Sequence, residues 1–126
     1  MKRMWVGIAL LGTLLFLGIL LWCFLGNIFR DISRDMEQAA AAIAQTDWDT
    51  AFALTDRARR SWEKYHDFTA AFTDHAPLEQ MDSLFSQLPI YAQQSLWADY
   101  ASECSRISCV ADAIREVHIL TWWNLL

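Results

Sequence analysis

The chain has 126 residues, with 15 acidic against 10 basic side chains, 55% hydrophobic content and a pI near 5.0, the size of one small domain plus one membrane segment. From Arg30 onward it keeps every acidic residue but lacks Lys2 and Arg3, and the resulting net charge of −7 excludes a nucleic-acid partner. The length also leaves no room for a large enzyme.

Met4 to Phe29 is an unbroken uncharged run. As a helix rising about 1.5 Å per residue it spans roughly 39 Å, more than the roughly 30 Å hydrocarbon core, so it predicts a transmembrane helix whose partner is the lipid bilayer. A cleaved signal peptide is the competitor, because Lys2 and Arg3 form a positive n-region. The run is longer than a typical h-region and no small-x-small site follows it, so retention is expected. Leu20-Leu21-Trp22-Cys23 is not a lipidation site, since bulky Trp22 stands where a small residue belongs. Trp5 and Trp22 lie about 26 Å apart along the helix, one near each membrane interface, where an indole satisfies both its apolar body and its N–H.

Lys2, Arg3 and the terminal amine face Arg30 and Arg34 across this segment, a bias that places the N-terminus in the cytoplasm and the rest outside it. The expected division is a membrane anchor over residues 1–29 and an extracytoplasmic helical bundle over 30–126. Gly7, Gly12, Gly18 and Gly26, and the small pair Ala9 and Thr13, read as the usual glycine enrichment of membrane helices; there is no GxxxG.

After Gly26 there is no glycine, and Pro77 and Pro89 are the only prolines, so the turn chemistry of a β domain is missing and the fold is expected to be all-α. Ile28, Ile32, Met36, Ala39 and Ile43 carry the first helix out of the membrane to about Gln45. Thr46, with Asp49 three residues on, reads as the N-cap of a second helix running to about His75. Its expected buried stripe is Trp48, Phe52, Thr55, Trp62, Tyr65 and Phe72, with Ala58 and Phe68 alongside, while Arg57, Arg59, Arg60 and Lys64 form a solvated basic side.

Pro77 suits the first turn of a third helix, with Leu78, Met81, Leu84, Phe85 and Leu88 as its core face. Pro89 removes the hydrogen bond to the Phe85 carbonyl and should kink or end that helix. Ser95 is expected to cap a fourth, in which Trp97, Tyr100, Cys104, Ile107, Ala111, Ile114 and His118 recur at spacings of three and four, the seam of a helix packed against an antiparallel neighbour. Gln45-Thr46-Asp47-Trp48 and Gln94-Ser95-Leu96-Trp97 echo each other, hinting at two successive helical hairpins. The expected architecture is a membrane helix continuing into a bundle of about four helices.

At Asp47-Trp48-Asp49-Thr50-Ala51, Trp62-Glu63-Lys64-Tyr65, Asp74-His75 and the tail from Val117 to Leu126, the chain resembles an uncharacterised family of short bacterial single-pass membrane proteins, domain-of-unknown-function family 4363. The resemblance covers nearly the whole length. It implies an N-terminal membrane helix followed by two helical hairpins, and a multi-pass membrane protein as partner; it carries no activity and no catalytic residues. The chain departs from the family in its fewer charges, in Pro89 and in its three cysteines.

The candidate chemical sites are sparse. Glu63 and His66 form one E-x-x-H, but a di-metal bundle needs a second copy and further inward glutamates, so a surface ion pair is the preferred reading and no metal is expected. His75 is expected at a helix end near exposed carbonyls, and His118 on the seam as a satisfied histidine. Cys104 and Cys109 lie about 140° apart around a helix, which disfavours a bridge between them. Cys23 belongs to the membrane segment, and Cys109 is the thiol most open to an intermolecular bridge. No nucleophile has a recognisable base beside it, so neither catalytic residues nor a cofactor are expected.

The C-terminal strip of Ile119, Leu120, Trp122, Trp123, Leu125 and Leu126 would fray in water and must be covered. Packing back on the bundle or dipping into the membrane interface is the simpler cover; docking a partner protein is the sharper one. The function expected is that of a non-enzymatic accessory or scaffold subunit holding another membrane protein. The alternative is an extracytoplasmic sensor or ligand-binding module, with a groove between aromatic-rich hairpins that accepts a peptide or apolar molecule and is reported by Trp48, Trp62 and Trp97.

Overall fold

The computed structural model describes the backbone of residues 1–71 and 74–125 and the side chains of residues 1–71 and 74–117. Four helices account for nearly all of it: α1 (Lys2–Ala44), α2 (Trp48–Ala70), α3 (His75–Gln93) and α4 (Trp97–Leu125). There is no strand among the described residues, and the fold is all-α. α1 and α2 form one hairpin and α3 and α4 a second. The two are joined chiefly by α1 packing along α4, while α2 and α3 meet at few points.

α1 is one unbroken helix of 43 residues with two different surfaces. Met4 to Leu21 stands clear of the bundle with its large apolar side chains exposed; from Leu25 onward Phe29, Ile32, Met36, Ala39 and Ile43 are buried. The helix therefore continues past residue 29 with no break between the apolar run and the core. Burial of each large side chain of this stripe, Phe29, Ile32 and Met36 among them, contributes roughly 1.5–3 kcal/mol through its removal from water.

The two hairpin turns have the same backbone. Gln45, Thr46 and Asp47 donate their N–H groups to the carbonyls of Ala41, Ile43 and Ala42, and Gln94, Ser95 and Leu96 donate to Ile90, Ala92 and Tyr91. This six-to-one and five-to-two pattern satisfies the orphan carbonyls at a helix end and requires a left-handed residue. Thr46 (φ 59°) and Ser95 (φ 57°) occupy that position in a region without glycine.

Neither residue therefore caps the following helix, as the sequence had suggested. Asp47, one place later, is the N-cap of α2, its carboxylate accepting the Thr50 N–H at 3.3 Å. At the start of α4 the Leu96 carbonyl accepts the first helical bond, from Tyr100. Three-residue connections leave the central residue to turn the chain and the next one to start the helix.

Four other expectations change. α2 ends at Ala70, and His75 is the first residue of α3, at the positive rather than the negative end of a helix. Pro89, expected to kink or end α3, does not end it: the helix runs on to Gln93, with Leu88 just before the proline held in the core. The stripe of α2 is Ala51, Thr55, Ala58, Trp62 and Thr69; Trp48 and Tyr65 are half-buried and Phe52 and Phe68 exposed. Arg57 is not simply solvated but pairs with buried Asp35. Phe72 lies outside the described residues. The core face expected for α3 is buried in full, as is the α4 seam from Tyr100 to Ile114, with Trp97 half-buried and the His118 side chain outside the described residues.

Candidate functional site

Polar side chains inside the bundle join its helices in pairs. Asp35 sits on the buried stripe of α1 between Ile32 and Met36, and Arg57 of α2 covers it, donating from Nε to Oδ2 at 2.9 Å. The carboxylate in turn raises the Arg57 pKa, first by this hydrogen bond and then by its charge. A carboxylate at a core position of an apolar stripe demands a cation on a neighbouring helix, so Asp35 is itself the sequence signal for this pair. Ser33 and Ser108 are hydrogen-bonded at 2.9 Å between α1 and α4, and Ser108 also donates to Glu37 at 3.2 Å. Tyr100 of α4 donates to Thr55 Oγ1 of α2 at 2.9 Å. Burial pushes the Tyr100 phenol and the Cys104 thiol each up to about 12, so both stay protonated and unreactive at neutral pH. Cys23 and Cys109 are exposed free thiols.

Trp48 and Trp97, the equivalent residues after the two turns, stack with ring centroids 4.3 Å apart and 27° between their planes. Tyr100 packs edge-on against Trp97, and Phe52 edge-on against Tyr100. Just below this cluster α2 and α3 diverge, leaving a cleft of about 260 Å³ lined by Phe52, Thr55 and Arg59 of α2, Phe85, Leu88 and Pro89 of α3, and Tyr100 of α4. At its far end the two helices are tied: Trp62 Nε1 donates to Asp82 Oδ1 at 2.6 Å, and His66 Nε2 lies 3.1 Å from Asp82 Oδ2. Desolvation pulls the His66 pKa down, but Asp67 and Asp82 more than offset it and the net shift is upward. Of the E-x-x-H pair, His66 is thus committed to carboxylates, and among the described residues no three His, Cys, Asp or Glu side chains converge as metal ligands. The aromatic residues proposed as reporters fall near the two ends of the cleft, Trp48 and Trp97 at one and Trp62 at the other.

The opposite pole is the exposed half of α1. Trp5 is 67% exposed, whereas Trp22 is half-buried at the point where α4 comes alongside. There Trp22, Gly26, Phe29 and Arg30 of α1 and Arg115 of α4 surround a cavity of about 360 Å³. α1 is the one helix among the described residues long and apolar enough to cross a bilayer, the profile of a membrane anchor or a signal sequence. The side chains of Ile119, Leu120, Trp122, Trp123, Leu125 and Leu126 lie outside the described residues.

These features define a two-hairpin helical bundle built on a long apolar N-terminal helix. The chain belongs to the family described as domain of unknown function DUF4363, whose model matches residues 21–125. No curated protein and no solved structure matches it.

Proposed function

We propose that this protein is a non-enzymatic accessory or scaffold subunit of a cell-envelope membrane complex, anchored by α1 with its N-terminus cytoplasmic and its bundle extracytoplasmic. The observation that carries this reading is the continuity of α1, whose exposed apolar half and buried core half are one helix. Cleavage after the apolar run would cut through the stripe that holds Leu25 and Phe29 in the core, which favours a retained anchor over a removed signal. A rigid link between membrane and bundle fixes the bundle's height and rotation above a partner in the bilayer, as a scaffold requires. The buried hydroxyls described above bond one another or Glu37, and buried Asp35 pairs with Arg57, all between helices, an arrangement suited to packing rather than to catalysis.

The test is affinity purification of the tagged full-length protein from native membranes in mild detergent. One stoichiometric membrane protein surviving the washes is the expected result, and a clean, partnerless preparation would overturn the reading. The α2–α3 cleft favours a second reading, a sensor that takes an apolar molecule or peptide side chain between Phe52, Phe85 and Tyr100. In that case ligand addition should change indole emission from Trp97, which packs against Phe52 and Tyr100, and Phe85→Ala should abolish the change.

A further inference from the structure

We propose that the last two turns of α4 enter the membrane beside α1, so that the protein is held by one helix that crosses the bilayer and a second that dips into the leaflet on the bundle's side. This rests on the reading of α1 as a membrane anchor and adds lipid as the partner of the C-terminal strip. The argument is one of register. α1 and α4 run antiparallel, and the Ser33–Ser108 hydrogen bond at 2.9 Å sets residues whose numbers sum to 141 level with each other. About 10 Å further down, the same rule places Arg115 level with Gly26, and these two residues do line one cavity. α4 remains helical to Leu125, which the rule places level with Phe16, deep within the uncharged run of α1.

Charge ends about 7 Å lower on α4 than on α1, and on both helices above the level of Trp22. The first charged residue of α1 above its apolar run is Arg30, and the last on α4 are Arg115 and Glu116. On α2, Tyr65 packs edge-on against Phe24 at 5.4 Å, and Asp67 just beyond it is fully exposed, so water reaches down to about the level of Phe24. Trp22 then sits at the boundary, level with Ile119 on α4, and the stretch from Ile119 to Leu125 extends about 10 Å below it, roughly a third of the hydrocarbon core. At 100° per residue, the apolar positions in that stretch take up more than half of the helix circumference, and those left over, Thr121 and Asn124, are uncharged. A docking strip for a protein needs one apolar face; a helix end apolar over most of its circumference suits lipid. The neighbouring surface at that height is the exposed apolar face of α1, which already requires lipid around it.

The test places a nitroxide at Asn124→Cys or Leu120→Cys in full-length protein carrying Cys23→Ala and Cys109→Ala, reconstituted in phosphatidylcholine–phosphatidylglycerol vesicles. Leu20→Cys on α1 and Ser102→Cys on the exposed face of α4 serve as references. Collision with oxygen, which partitions into lipid, and with a water-soluble nickel chelate reports the environment of each label. Both C-terminal sites should show an oxygen-to-nickel ratio about tenfold above that at Ser102→Cys and close to that at Leu20→Cys. A ratio like that at Ser102→Cys puts the strip in water and overturns the proposal. Low collision with both reagents means that protein covers it, and overturns the proposal equally. A water-like ratio at Leu20→Cys itself would instead remove the anchor reading on which the proposal stands. Using two C-terminal sites separates a local effect of either substitution from the depth of the helix.

Discussion

The bundle contains two interfaces that its own internal repeat makes equivalent, α1 against α4 and α3 against α2, yet the first is closed and the second open. Moving 49 positions along the chain carries the first hairpin onto the second. Phe29, Ile32, Asp35, Met36 and Ala39 become Leu78, Met81, Leu84, Phe85 and Leu88, and Ala51, Thr55, Ala58 and Trp62 become Tyr100, Cys104, Ile107 and Ala111, every one of them buried. The side chains at the seam decide what differs. In the closed interface Ser33 meets Ser108, with Cys104 and Ala111 on the same face of α4, all small enough for close approach. Their counterparts in the open interface are Asp82 and Arg59, with Thr55 and Trp62 on α2. Arg59, whose charge must keep water, lines the cleft, and α2 and α3 meet instead at its end, where the Trp62 indole donates to Asp82.

The largest test of this comparison removes that indole. Trp62 is buried to 3% exposure, packs on Phe29 and donates to Asp82, so Trp62→Ala should cost about 3–5 kcal/mol in a denaturant titration of the bundle. A loss below about 1 kcal/mol would show that the indole is not part of the core. The reciprocal change places bulk in the closed seam. Ala111 is fully buried, and Ala111→Leu should overpack the α1–α4 contact and cost about 1–3 kcal/mol, where Leu at an exposed position of α4 such as Ser102 would cost little.

How far the sequence discloses this architecture depends on which force sets each element. The core faces of α3 and α4 are legible because Leu78 to Leu88 and Tyr100 to Ile114 follow the helical period with apolar residues of ordinary size. On α2 the same period misleads. Phe52 and Phe68 are exposed, and apart from Trp62 the buried residues of α2 are alanines and threonines, which carry little hydropathy. The repeat is visible only as a glutamine, a hydroxyl residue and a tryptophan at each turn, since backbone hydrogen bonding rather than side-chain identity sets the turn. The cleft is not legible at all, because it arises from unequal side-chain size at paired positions that sequence alone does not pair.

The turns sharpen the comparison at a smaller scale. Thr46 and Ser95 hold left-handed backbones that cost an L-residue roughly 1–2 kcal/mol, part of which glycine returns to the unfolded chain as entropy. Thr46→Gly should therefore stabilise the bundle by about 0.5–1 kcal/mol in thermal unfolding, with Ser95→Gly giving less because serine is not β-branched. Equal destabilisation by both would mean that their hydroxyls, such as that of Thr46 bonded to the Gln45 carbonyl at 2.7 Å, matter more than the backbone.

The smallest effect concerns the tie that closes one end of the open interface. His66 gains Asp82 and Asp67 on folding, and its pKa rises above the unfolded value near 6.5. Protonated His66 is therefore favoured in the folded protein, and the resulting stabilisation is complete below pH 6.5 and disappears as the pH rises through the higher folded value. Because the imidazole and the Asp82 carboxylate are 33% and 52% exposed, the effect should be that of a partly solvated pair, roughly 0.2–1 kcal/mol. Unfolding midpoints of the native chain and Asp82→Asn should differ most below about pH 6.5 and converge as the pH rises through the higher folded value, with the Trp62 hydrogen bond retained by the amide oxygen. A difference that grows with pH would show that neutral His66 is the form that Asp82 holds. The α2–α3 tie would then strengthen, rather than loosen, as protons leave.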